Sequence, residues 1–153
     1  MLLIFLPKST VMNSSKFFIG GIIGGVANFL LGWLVWGMLL MNFMKEHSSE
    51  ASKAVMRADD DVIWWALIVA NLFAGFLLSY ILKKAAVSSA SAGASTGAVV
   101  GLLISASINC FNYAFMNLSD TTAMLTDMAA SLVVTAIVGG IIGWYFGMGK
   151  KAA

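Results

Sequence analysis

The sequence predicts an all-α polytopic membrane protein: four transmembrane helices in one antiparallel bundle, with both ends on the same side. Three observations carry this. Of 153 residues, 60% are apolar and 10% charged, with a single proline; a soluble domain carries about a quarter charged residues, so a water-exposed shell cannot be built from this composition. Four uncharged stretches, residues 17–44, 62–82, 92–116 and 128–148, each satisfy the requirement of about 20 apolar residues for a spanning helix. Lysine and arginine, finally, are unevenly divided between the flanks of those stretches.

Taken in order, residues 1–16 form a cytoplasmic or interfacial tail. Their apolar start, 1–6, is too short to span a bilayer, and it lacks both the leading positive charge and the cleavage site of a signal peptide. Met12 is a second plausible start, and the chain is expected to begin there naturally. The first span carries Gly20, Gly21, Gly24 and Gly25, two interlocked small-xxx-small pairs of the kind that lets helix backbones approach in lipid. After it, Glu46, Glu50, Lys53 and Arg57 recur at three or four residues and predict a short, solvated external helix.

The acidic run Asp59, Asp60 and Asp61 precedes the second span, where carboxylates favour the positive end of the helix dipole. Trp64 and Trp65 follow as an interfacial belt, matched by Trp144 at the opposite face. The third span carries Gly93, Gly97 and Gly101, a ridge that Ser105 continues at the same interval. The fourth carries Gly139, Gly140, Gly143 and Gly147, and its residues 139–143 repeat residues 20–24 letter for letter. Three glycine ridges are thereby expected to converge in one leaflet, with the first and fourth helices touching there. Residues 149–153 close the chain as a second tail.

One side of the membrane collects Lys8, Lys16, Lys83, Lys84, Lys150 and Lys151; the other holds Lys45, Lys53 and Arg57, together with every acidic residue, Asp120 and Asp127 included. Because cytoplasmic loops hold the excess of Lys and Arg, both termini are expected in the cytoplasm. One domain covers the four spans, since the connections between them are short.

These features exclude several functions. A net charge of +2 is too mild and too scattered for nucleic-acid binding. Cys110, the single cysteine, rules out a disulfide framework. With one histidine and neither a zinc-protease motif nor a nucleophile elbow, the chain is expected to act without catalysis and without a cofactor. No Asp, Glu, Lys, Arg or His falls inside the four stretches as drawn, which disfavours proton-coupled or charge-moving transport.

What the spans do contain is neutral polarity. Asn28, Asn71 and Thr135 fall near mid-membrane, Ser105 is close to them, and Asn109 and Asn112 lie toward the outer end. Interhelical hydrogen bonding, worth around 0.6 kcal/mol per bond, is the plain reading. The alternative is a polar lining for water or a small neutral solute, with Asn109 and Asn112 at its mouth. At the outer face Met38, Met41, Met44 and His47 recur every three residues, with Met56, Met116, Met124 and Met128 at similar depth. Soft thioether and imidazole ligands suit copper(I), but a spacing of three drifts by about 60° per step on a helix. Pliable packing therefore explains the row before copper or silver handling does.

The segments Gly32-Trp33-Leu34-Val35-Trp36-Gly37, residues 93–101, 109–115 and 138–143 together resemble a bacterial domain-of-unknown-function family of small four-helix membrane proteins. The likeness covers nearly the whole chain from Lys16 onward. It implies the same four-helix fold, with an aromatic-rich first helix and a glycine-rich third, and brings no activity. Where that family follows the tryptophan with a tyrosine and a proline-containing turn, this chain reads Trp36-Gly37-Met38 and is expected to continue as unbroken helix. The expected protein is thus an inner-membrane structural or interaction module, self-associating or bound to another membrane protein. A pore or carrier for a neutral solute is the alternative.

Overall fold

The computed structural model describes residues 14–148. Lys8, Lys150 and Lys151 of the orientation argument, and both chain ends, lie outside them. Among the described residues the chain is helical throughout: α1 (Ser14–Leu34), a π-helical turn (Val35–Leu39), α2 (Met41–Glu46), α3 (Glu50–Val55), a 3-10 turn (Asp59–Asp61), α4 (Trp64–Lys84), α5 (Ala90–Phe115) and α6 (Thr121–Gly147). Four of these segments are long and apolar enough to cross a membrane.

The helices pair by backbone proximity at their glycines. In the α5–α6 pair, a methyl group on Gly93 would run into the Gly139 carbonyl, and one on Gly97 into the Thr135 carbonyl. In the α1–α4 pair, Gly75 lies against Gly21 and Gly25 in the same way, and Gly25 sits against Leu72. The two pairs join where Gly20 and Gly24 of α1 receive Phe146 and Ile142 of α6. The repeated five-residue segments therefore lie on helices that meet, but their glycines do not face one another: Gly20 and Gly24 face Phe146 and Ile142 of α6, Gly21 faces Phe76 of α4, and Gly139 and Gly143 face Gly93 of α5. Gly140 is the exception among the expected ridge residues, since a methyl there would meet Ala90 and Ala94 at ordinary distances of 3.5 and 3.6 Å. A small core of Leu78, Leu82, Val134, Val138, Ile142 and Phe146 fills the centre. At the same end, Lys16 donates from Nζ to the carbonyls of Met148 (2.9 Å) and Phe146 (3.2 Å), satisfying the terminal acceptors of α6.

Two boundaries differ from the sequence reading, and each has a local cause. The first span does not run unbroken to Met44. It changes to π-helix at Val35, where the Leu40 amide bonds back five residues to the Val35 carbonyl (2.7 Å), and the chain then bends at Leu40 before α2. The π turn occupies the Trp36-Gly37-Met38 stretch. The fourth helix starts not at Met128 but at Thr121, because the Asp120 carboxylate caps it by accepting from the Ala123 amide (2.8 Å). Asp127, assigned to the outer loop by its charge, therefore lies inside α6, about two turns from its start.

The loops at the α2–α3 end are tied together. Ser48 and Ser119 form an isolated bridge, the Ser49 amide donates to Leu118 (2.9 Å), and the Asp120 amide donates to His47 (3.1 Å). The expected external helix is α3, shorter than drawn. Its Lys53–Glu50 pair (2.8 Å) is present, whereas Arg57 lies beyond it and pairs with Asp61 (2.8 Å). Both pairs are exposed and contribute little. The α4–α5 turn ends α4 with the paired 6→1 and 5→2 bonds of a Schellman motif, Val87 to Leu82 (3.0 Å) and Ala86 to Lys83 (3.1 Å). Ala86 takes the left-handed position there, with φ 55°.

Candidate functional site

Whereas α5 packs closely on α6 and α1 on α4, α4 and α5 barely touch. The gap between them is a cleft of about 330 Å³. Its walls are apolar: Ala74, Leu77 and Leu78 of α4 face Val100, Ile104 and Ile108 of α5, over Val134 and Val138 of α6. Polar groups enter it from the α1 and α6 side and toward one end.

At that end sits Asp127. Its Oδ1 accepts the indole N–H of Trp36 (2.8 Å), and its Oδ2 accepts the Asn109 amide (2.7 Å) and the Ser105 hydroxyl (3.2 Å). Each donor has its own reason to be in place. The π turn carries Trp36, which is half-buried against the core, while Trp33 and Leu34 just before it remain exposed. Ser105 and Asn109 are one turn apart on α5, and the Asn109 amide also reaches the Ser105 hydroxyl (3.1 Å) and carbonyl (3.0 Å). Residues four apart share a helix face, so both meet the same carboxylate. Hydrogen bonds to an ionised acceptor are the strong ones. Among the described residues, the three ion pairs join other groups, and no lysine, arginine or histidine pairs with Asp127.

The expected polar residues divide into three groups. Asn28, Ser105, Asn109 and Thr135 line the cleft. Asn71 is not among the lining residues; it accepts the Asn28 amide (2.7 Å) and donates to the Leu67 carbonyl (2.8 Å), which makes it a tie between α1 and α4. Asn112 borders a separate recess of about 60 Å³ with Tyr113 and Met116. Thr135 bonds back to the Ser131 carbonyl of its own helix (2.5 Å) and packs across from Gly101. Every buried side-chain polar atom among the described residues has a partner.

Asp127 and Trp36 are the site residues that sequence reasoning missed. The sequence hides Asp127 because a charge reads as the end of an apolar run. The signal that recovers it is Asp120, a capping residue type immediately before Thr121, which moves the helix start back by two turns.

At the loop end, His47 Nδ1 lies 2.5 Å from Asp120 Oδ2, and its ring packs against Phe43 with centroids 4.5 Å apart. The His47 hydrogen bond and the Ala123 amide hold the Asp120 carboxyl below its ordinary value. His47 thus has a structural partner, and among the described residues no three His, Cys, Asp or Glu side chains come together in a metal-binding group. Met38, Met56 and Met116 are about half exposed or more.

The fold and cleft define a class, that of a multi-pass helical protein with four segments able to cross a membrane. No protein-family model matches the chain, and no curated protein or solved structure matches it either.

Proposed function

We propose that this is a non-enzymatic inner-membrane protein whose four helices form one antiparallel bundle with both ends cytoplasmic. It takes a small molecule into the cleft between α4 and α5, as a binding protein or carrier. The observation that carries this reading is an apolar cleft of about 330 Å³ ending in a carboxylate held by side chains from two other segments. Apolar pockets with a few convergent polar groups are the usual form of small-molecule sites, and an ionisable residue within a membrane helix marks function by default. The orientation is supported by Lys16, Lys83 and Lys84 at one end against Lys45, Lys53 and Arg57 at the other. A reporter fused after Lys84 is expected to read as cytoplasmic and one near Ser52 as external.

The self-associating module expected from the glycine ridges has less support, because those ridges are occupied within the chain. The test of the reading is saturable binding of a small aromatic solute, neopentylbenzene, to the protein in nanodiscs, compared with Ala74→Trp, which fills the cleft from its α4 wall. Binding that Ala74→Trp removes supports the reading. Absence of saturable binding, or binding that survives Ala74→Trp, overturns it.

A further inference from the structure

We infer that the cleft selects a lipophilic monovalent cation: an apolar body carrying one ammonium or similar positive head, seated with the head at Asp127. The inference rests on the cleft being a small-molecule site and names its ligand class.

The argument is one of charge and shape. Asp127 lines the cleft, and its three partners, Trp36, Ser105 and Asn109, are all neutral donors. They orient and solvate the carboxylate without cancelling its charge. A carboxylate offers about four acceptor positions, and the three bonds occupy most but not all of them. An unpaired negative charge in an apolar, membrane-embedded cavity is costly, and a cation in the same cavity offsets that cost. Elsewhere the walls are alkyl groups of Leu77, Ile104, Val134 and Val138. They match an apolar ligand body, beside the neutral oxygens of Asn28, Ser131 and Thr135 that also line the cleft.

A neutral solute, the guest expected from the asparagines alone, makes less use of the site. The Asn28 Nδ2 already donates to Asn71, and the Thr135 hydroxyl to its own helix. A compact metal cation is disfavoured as well, because one carboxylate is the only anionic group lining the cleft among the described residues. The cleft's volume suits a ligand of one aromatic ring with a trimethylammonium head.

The experiment compares two probes of nearly equal shape, benzyltrimethylammonium and its uncharged carbon analogue neopentylbenzene, binding to the full chain in nanodiscs. The cation is expected to bind about tenfold or more tighter than the neutral analogue, a difference of about 1.4 kcal/mol. Asp127→Asn is expected to remove that preference, bringing the cation's affinity down to that of neopentylbenzene. Ser131→Lys provides a second route if Asp127→Asn does not fold, since it sets an ammonium one turn from an intact Asp127 and should abolish the preference equally. Equal binding of both probes, or a cation preference that survives both variants, overturns the inference. If neopentylbenzene binds in a manner blocked by Ala74→Trp but the cation does not, the ligand class is wrong and the cleft reading stands. If neopentylbenzene shows no saturable binding, the cleft reading falls and the inference with it.

Discussion

The two ends of this bundle are held by opposite means. At the end that contains Lys16, Lys83 and Lys84, helices meet backbone to backbone at Gly93, Gly97, Gly139 and Gly143. Toward the other end side chains make the ties: Asn28 to Asn71 between α1 and α4, and Trp36, Ser105 and Asn109 to Asp127 of α6. The difference teaches where a membrane bundle has room for a ligand. Small residues remove space by letting backbones approach, whereas α4 and α5, which barely touch, leave a lined cleft between them.

The largest effect should come from forcing the closed end apart. Gly93→Leu places a side chain where the Gly139 carbonyl and Gly143 Cα now lie, and backbone cannot yield as a flexible side chain would. A loss of about 3 kcal/mol or more is expected in SDS-induced unfolding. The same substitution at Gly140, which has ordinary clearance, should cost distinctly less; equal costs would erase the distinction between packed and unpacked glycines.

At the open end, Asp127→Leu deprives three donors of their acceptor and is expected to cost about 2 kcal/mol in the same assay. If Asp127→Leu is neutral, the carboxylate does not hold that end together. Ala86→Gly tests the closed end from the opposite direction: the left-handed φ of 55° suits glycine, so the variant should be more stable by about 1 kcal/mol. Asn28→Leu removes one interhelical bond, and a loss of about 0.6 kcal/mol is expected.

The smallest effect concerns pH. Asp120 is depressed in the folded chain, chiefly by its bond with His47. Its contribution is therefore present above the ordinary carboxylate range and is lost as pH falls through the depressed folded value. Spin labels at Glu50 and Asn117 should report a tight distance at neutral pH that broadens in acid, and His47→Ala should shift that broadening to higher pH. A distance insensitive to pH would show that the backbone bonds from Ser49 and Asp120 hold the loops alone.

Much of the closed end was legible in the sequence, and the open end was not. Glycines at intervals of four announce close approach whatever their partner, so Gly93, Gly97 and Gly101 could be marked as a packing ridge before any partner was known. Pairing is another matter. That Gly24 would face Ile142 rather than its sequence twin Gly143 depends on helix rotation, which a repeat does not encode. Asp127 was hidden by the rule that a charge ends a span; the rule fails where neighbouring helices supply donors, and those donors are remote in sequence. Trp36 was hidden by regular helical periodicity, because one π turn changes which face each following residue occupies.

The central claim, that the open end is an accessible site while the closed end is sealed, is tested most directly by two matched serines. In a Cys110→Ser background, Ser131→Cys places a thiol in the cleft near Asp127, and Ser79→Cys places one at the fully buried position that now bonds the Phe17 carbonyl. A methanethiosulfonate bearing a trimethylammonium head should modify the thiol at 131 readily and leave the one at 79 untouched. Modification at 131 no faster than at 79 would contradict the claim.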